Sequence, residues 1–375
     1  MLAWGYLHDV SPTGSVERLV AAPLDTPEVV IDLEAVRENI SHAAAIARAR
    51  RVTLRPHTKT HKLPQIARMQ LDAGAGGLMV AKLGEAETMA EAGLDHILVG
   101  FPLVGETKLR RLEALLDRGV SLSVVVDSLD VAKGLARLRR DLAVLLEIDT
   151  GLGRLGCLPG SVAVDVGRRI QELDGIVLKG VLTHEGHVYR QARCARECEE
   201  LACEAASRMV DVAESLGVEI VSMGASATFR FTITCSGVTE VRPGTYVFND
   251  LSQLTLGVCT RDEIAAVVVA TVVARPERTR VVLDAGSKTL SSDRLNIPEA
   301  PPTFGLLWGG DGTVVRLSEE HGVVEVPAHS DLRVGDRVAL IPNHVCPVIN
   351  LADAVTVVDG GLVERWPVAA RGKVH

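Results

Sequence analysis

The chain has 375 residues, 47% of them apolar and 23% charged, which excludes a disordered polymer and leaves room for about two domains. A formal net charge of −8, with Lys and Arg scattered along the chain, excludes the basic face of a nucleic-acid binder. No apolar run reaches the roughly 18–20 residues that cross a bilayer, and the opening MLAWGYLHDVSPTGS lacks the basic-then-apolar order of a secretion signal. A cytoplasmic protein with no membrane partner is expected.

Residues 1–24 form an N-terminal segment, a candidate to pack with a later β domain. From 25 to 254, short β-branched runs alternate with helix-like stretches. EVVIDL (28–33) reads as a lead-in. Eight runs follow: VTLRP (52–56), GLMV (77–80), HILV (96–99), SLSVVV (121–126), AVLLEI (143–148), IVLKGVL (176–182), VEIVSM (218–223) and TEVRP (239–243). Apolar strands separated by helices imply a parallel sheet covered on both faces, and eight is the strand count of a (β/α)8 barrel. A doubly wound open sheet is the alternative, but its glycine-rich turn after the first strand is missing. From 255 to 375 the chain becomes strand-rich with Gly and Asp turns, as in a mainly antiparallel β domain.

Seven cysteines, an odd number, suit a large core in a reducing compartment without disulfide staples. Cys194, Cys198 and Cys203 share one helical segment and read as small packing residues. Arg137, Arg139 and Arg140 read as solvated helix surface.

In a barrel, chemistry gathers at the C-terminal ends of the strands. Five polar or glycine-rich motifs fall there: RPHTKTHK (55–62), DTGLGRLG (149–156), THEGHVY (183–189), GASAT (224–228) and RPGTY (242–246). The first carries two lysines, Lys59 and Lys62, either of which could serve as a nucleophilic amine. In the β domain, PNHVC places His344 and Cys346 two residues apart, which on an extended segment would aim imidazole and thiol the same way. That borderline-soft pair suits Zn2+ and leaves coordination positions open.

Taken in order, these motifs resemble the fold-type III pyridoxal-phosphate (PLP) enzymes, an alanine-racemase-like barrel with a β domain. RPHTKTHK and PNHVC narrow the resemblance to the D-serine dehydratase and D-threonine aldolase branch. It runs from about residue 25 to the C-terminus. The resemblance implies Lys59 as the Schiff-base lysine and Cα base, with His57 and His61 beside it as orienting or proton-relaying groups. Arg154 would meet the PLP phenolic oxygen, His184 would pack on the pyridine ring, and Arg242 would approach the pyridine nitrogen. Gly224, Ser226, Gly244 and Thr245, with Tyr246 at the edge, would cradle the phosphate. His187 and Tyr189 are candidates for the substrate side.

His344 and Cys346 would hold a divalent metal, Zn2+ by ligand softness with Mn2+ or Mg2+ as alternatives, to act on a substrate β-hydroxyl. By the same resemblance the aldolases pair His with Asp at this place and the dehydratases pair His with Cys. The expected activity is therefore β-elimination on a D-3-hydroxy amino acid, D-serine-like, giving a keto acid and ammonia. Retro-aldol cleavage to glycine and an aldehyde is the alternative. A racemase needs a tyrosine from the β domain, yet all three tyrosines lie at or before 246. A non-catalytic PLP-binding protein and a metal-only hydrolase are remoter readings. The family also implies a homodimer.

Overall fold

A computed structural model describes residues 14–375. The chain divides into two compact units, one of residues 40–188, 195–244 and 372–375, the other of residues up to 39, 189–194 and 245–371. A helix, Gly14–Ala21, and strand β1 (Glu28–Asp32) precede the long helix Leu33–Arg50. Asp32 caps that helix, its Oδ1 accepting the Glu34 and Ala35 amides.

The first unit is a ring of parallel strands. These are β2 (Thr53–Leu54), β3 (Leu78–Val80), β4 (His96–Val99), β5 (Ser121–Val126), β6 (Leu142–Glu147), β7 (Ile176–Leu182), β8 (Ile220–Met223) and β9 (Glu240–Val241). Hydrogen bonding runs in the order β2-β9-β8-β7-β6-β5-β4-β3, with every pairing parallel. The ring closes where Leu54 O accepts Gly76 N–H (2.9 Å) and Pro56 O accepts Met79 N–H (2.8 Å). The eight apolar runs of the sequence are these eight strands. Met79, Leu98, Val125, Leu145 and Leu182 point inward and fill one layer, so the barrel is a packed core. Helices cover it with apolar stripes at helical spacing. In Ala195–Leu216 the buried positions include Cys198, Ala202, Ala205, Met209, Val212 and Leu216.

The second unit is built on a nine-stranded sheet: β1 with β10 (Ala266–Glu277), β11 (Arg280–Leu283), β12 (Gly305–Leu307), β13 (Thr313–Leu317), β14 (Gly322–Glu325), β15 (Arg337–Pro342), β16 (Ala354–Asp359) and β17 (Leu362–Pro367). Pairings β10-β11-β14-β13-β12-β15-β10 form a closed antiparallel circuit, a small β-barrel. From β10 the sheet continues through β1, β16 and β17, and only β1–β16 is parallel. The helix Val345–Leu351 joins β15 to β16.

The boundary read from sequence, 25–254 for the barrel, therefore shifts at both ends. EVVIDL is apolar on both faces, and its partners are β10 and β16 of the antiparallel sheet. Residues 245–254 fall in the same unit. The N-terminal helix also belongs to it, with Val16 and Leu19 buried and Arg337 donating to Ala22 O at 3.1 Å. The first half of the N-terminal segment, residues 1–13, lies outside the described residues. Among the described residues no helix is long and apolar enough to cross a membrane.

Candidate active site

Because every strand of the first unit runs the same way, the segments after β2, β6, β7, β8 and β9 emerge at one end of the barrel. The lysine motif forms a tight turn there. After β2 the backbone enters a 3-10 turn, Thr58–Thr60. His57 N–H donates to Pro243 O (3.0 Å) and the Thr58 hydroxyl donates to Met79 O (3.1 Å), so the turn is pinned to its neighbours on both sides. Gly244 packs directly against it. A Cβ at Gly244 would sit 2.7 Å from Thr60 Oγ1 and 3.2 Å from His57 O, so only glycine lets the end of β9 approach this closely.

The two lysines separate on their surroundings. Lys62 has a left-handed backbone (φ 56°) and a buried side chain, and its Nζ meets Glu85 Oε1 at 2.5 Å. The other oxygen of Glu85 accepts Ala81 N–H at 2.6 Å. Lys62 is thus a charge held by a buried carboxylate. Lys59 is half-buried and shares its electrostatic neighbourhood with His57 and His184. Burial, then the Lys59 and Arg242 charges, hold His57 well below the usual histidine range. Burial and Lys59, with Arg154 and Arg242, do the same to His184. Both rings are neutral at pH 7, bonded to the backbone of Met79 and Gly224 respectively.

His61 has a different place. It is wholly buried, its Nδ1 accepts Leu63 N–H at 3.1 Å, and Gln70 hydrogen-bonds its ring. It organises the chain before the helix Pro64–Asp72. Burial lowers it to about 4, against the supporting bonds of Gln70 and Leu63. The neutral ring therefore contributes stability that is present above pH 6.5 and lost as pH falls from there to about 4, amounting to about 3 kcal/mol. A His61→Asn variant keeps the local acceptor and removes the titration. Its urea midpoint should fall less between pH 7 and pH 5 than that of the parent protein.

Arg154 follows β6 with its side chain 52% exposed, and reaches the buried Glu147 at 3.7 Å. Arg242 is buried inside the barrel, donating to Ser222 Oγ (2.7 Å) and Thr183 O, with Nη1 on Met79 Sδ. Its charge lies among Glu240, Glu185 and Glu147.

The GASAT loop differs in detail from the expected cradle. Gly224 turns it at φ 119°, but its amide is taken by Glu185 Oε2 at 2.7 Å. The Ala225 amide goes to Thr228 Oγ1 at 3.0 Å. The Gly224 and Ala225 amides are therefore engaged within the protein, and Gly224 serves the turn. Glu185, unremarked inside THEGHVY, is fully buried and accepts from Gly224 N–H and from the Thr232 hydroxyl (3.2 Å). His187 is buried beside Gly151, whose Cβ would stand 3.5 Å from the ring.

The other residues singled out in the sequence lie in the β unit. Thr245–Val247 is a 3-10 turn in which Thr245 and Tyr246 are buried. Tyr189 accepts Gln253 Nε2–H at its hydroxyl (2.8 Å). His344 and Cys346 do not lie on an extended segment. His344 is the N-cap residue (φ −142°, ψ 104°) and Cys346 the second residue of the helix Val345–Leu351. The turn into the helix nonetheless brings them into hydrogen bond. Asp293 Oδ2 lies 2.8 Å from His344 Nδ1, which leaves Nε2 as the other ring ligand atom. Desolvation alone would lower His344, but Cys346 and Asp293 outweigh it and push the imidazole up to about 11. The Thr245 hydroxyl stands 3.7 Å from Cys346 Sγ.

The helix start is fixed by Asp250, which caps two helices at once. Its Oδ1 accepts Ser252 N–H and its Oδ2 accepts Val345 N–H, both at 3.0 Å. The Ser252 hydroxyl holds Asn343 O at 2.7 Å. Among the described residues no cluster of three or more His, Cys, Asp or Glu forms a complete metal cage. The pair, with Asp293 orienting the imidazole and 47% of the His344 side chain open, has the donor chemistry of an open two-ligand site. In the barrel unit, the glycine-lined approach to the Lys59 turn and the two neutral imidazoles fit a flat, anionic aldehyde.

Asp293, Asp250 and Glu185 escaped the sequence reading. Asp293 sits 51 residues before His344 in an irregular loop, with no local signal. Asp250 had one, as an Asp directly before an apolar helical run.

Comparison with known proteins matches residues 31–252 to the alanine racemase N-terminal domain and residues 265–358 to the "Putative serine dehydratase domain". D-threonine aldolase of Arthrobacter sp is 33% identical over 367 residues, covering 94% of each chain. D-threo-3-hydroxyaspartate dehydratase of Delftia sp. (strain HT23) is 32% identical over 349 residues, 86% of this chain and 91% of its own. Its solved structure aligns with a TM-score of 0.85 at 31% identity, covering 93% of this chain and 98% of that one. That protein has also been solved with a histidine replaced by alanine and, separately, with a cysteine two positions further on replaced by alanine, the latter in a metal-free form. D-serine dehydratase of Dictyostelium discoideum is 28% identical over 372 residues, 86% of this chain and 90% of its own.

Proposed function

Since the chain belongs to the family that joins an alanine racemase N-terminal domain to a serine dehydratase domain, we propose that it is a PLP- and metal-dependent lyase that dehydrates a D-3-hydroxy amino acid. The observation that carries this reading is the His344–Cys346 pair with Asp293 on the imidazole. The Delftia dehydratase, with alanine variants at a histidine and a cysteine of the same spacing, supports it.

When bound, PLP supplies an electron sink for negative charge at Cα, and a divalent cation supplies Lewis-acid polarisation of the β-hydroxyl. The chain's own residues do the rest. Lys59 Nζ is the amine that would hold the cofactor and would take the proton from Cα. His57 and His184, neutral and fixed by backbone bonds, orient the groups around that amine without adding a competing charge. Arg154, half-exposed, is placed to hold an anionic oxygen. Ser226 and Gly244 line the phosphate side, with Glu185 holding the loop in shape. His344 and Cys346 would bind the cation through nitrogen and thiolate, a donor set that favours Zn2+. The product would be a keto acid and ammonia after hydrolysis. The unit of function is a homodimer, which light scattering in solution would test by a mass of two chains.

Retro-aldol cleavage is the second reading, favoured by the 33% identity to an aldolase. One assay separates the two. The holoenzyme is incubated with D-serine, D-threonine and D-threo-3-hydroxyaspartate, and keto acid and glycine are measured. Keto acid with equimolar ammonia is expected; glycine as sole product from all three would exclude dehydration.

A further inference from the structure

We propose that Cys203 and Cys235 form a reversible oxidation site, closed to a disulfide by low-molecular-weight disulfides, which clasps the arm that follows the Ser226 loop. The two thiols come from distant parts of the barrel unit, 32 residues apart, and their sulfurs stand 3.4 Å from each other. A disulfide needs about 2.0 Å, a gap closed by small side-chain rotations. Neither residue has the burial of a packing cysteine. Cys203 is exposed on the helix Ala195–Leu216 and Cys235 is half-buried, whereas Cys198 on the same helix is fully enclosed. Reading Cys194, Cys198 and Cys203 as packing residues of one helix thus holds for Cys198 and fails for Cys203 and for Cys194, which is exposed just ahead of the helix.

The exposure gives the two sulfurs different roles. A solvent disulfide RSSR reaches Cys203 first. The Cys203 thiolate attacks one sulfur, forming Cys203–S–SR and expelling RS−. The Cys235 thiolate then attacks the Cys203 sulfur, forming the protein disulfide and expelling the second RS−. The two thiol protons end on the leaving thiolates, so two protein thiols and RSSR become one protein disulfide and two RSH. Burial, together with the hydrogen bond and charge of Cys203 and the nearby Glu185 and Glu199, pushes the Cys235 thiol up to about 12. The first step removes the Cys203 hydrogen bond and charge, while burial, the largest cause, remains, and the 3.4 Å approach of the sulfurs is what favours the second step.

The consequence lies in what Cys235 is attached to. An unbroken ladder of helical turns runs from Ala225 to Cys235: Phe229 N–H to Ala225 O, Thr232 N–H to Thr228 O, and Cys235 N–H to Thr232 O, at 2.9–3.0 Å. Midway, the Thr232 hydroxyl bonds Glu185, whose other oxygen holds Gly224 N–H. The disulfide would tie the far end of this arm to the long helix and restrict opening of the loop. That part rests on the cofactor reading above; the chemistry of the thiols does not.

The test exposes the holoenzyme to millimolar oxidised glutathione, then alkylates it under denaturing conditions. The Cys203 and Cys235 peptides should lose their alkylation together and appear as one joined pair, scored apart from any glutathione adduct on the exposed Cys194, and dithiothreitol should restore all seven alkylated cysteines. Cys235→Ser should stop at a glutathione adduct on Cys203. Seven alkylated cysteines, or a stable adduct on Cys203 of the parent protein, would overturn the proposal. On dialysis the oxidised holoenzyme should lose its visible absorbance at least about twofold more slowly than the reduced form, because the closed loop limits local opening. Equal rates would remove the clasp while leaving the disulfide. A protein with no visible absorbance in either state would defeat the cofactor reading, and the thiol count would still stand.

Discussion

Lys59→Ala is expected to be colourless as purified, to lose at least about 10³-fold in turnover, and to melt close to the parent protein. Lys59 is half-buried on a turn whose anchors are the His57 and Thr58 contacts, so truncating its side chain removes neither. The informative control is Lys62→Ala. There the substitution strips a buried carboxylate of its partner, since the Lys62 and Glu85 side chains are 7% and 2% exposed. Breaking a buried pair from one side costs about 3–5 kcal/mol. Lys62→Ala should therefore unfold at much lower denaturant yet keep its visible absorbance when folded. Lys62→Ala with Glu85→Gln should recover part of the stability, because no uncompensated charge remains. Absorbance and borohydride labelling that persist in Lys59→Ala and vanish in Lys62→Ala would move the reactive amine and overturn the assignment.

The contrast also shows what kind of information the sequence carries. The eight barrel strands were legible because most are short, largely apolar runs flanked by helical spacing, so local pattern and tertiary environment agree. EVVIDL has the same local pattern, but periodicity does not say which sheet a strand joins. Its place between β10 and β16 depends on pairing more than 230 residues away. The site behaved similarly. Lysine, histidine and cysteine could be picked out by residue type. The features that give them their character are long-range: Glu85 neutralising Lys62, Asp293 on His344, Asp250 capping the second helix, and Cys235 beside Cys203. For the His344 and Cys346 pair that the motif singled out, the geometry came from a different source. His344 and Cys346 meet across a helix start that Asp250 and Ser252 hold in place.

That helix start makes the metal pair the second decisive test. Cys346→Ala and His344→Ala should each lower the bound divalent metal, read by elemental analysis, to well below one per chain, and each should cut turnover by about 10²-fold or more. Exhaustive EDTA treatment of the parent should give the same loss, reversed by added Zn2+. Neither variant alters the lysine turn, so both should keep their visible absorbance, which separates loss of metal from loss of cofactor. Asp293→Asn tests the orienting bond. It retains both ligands but weakens the hold on the His344 ring, and metal affinity should drop about 10–100-fold with turnover recovering at high metal. Asp250→Ala removes the cap on Val345 N–H and should loosen the helix start, lowering affinity without removing a ligand. A metal-free protein that still turns over D-3-hydroxy amino acids at the parent rate would show that the pair is structural, and the preference for elimination drawn from it would fall with it.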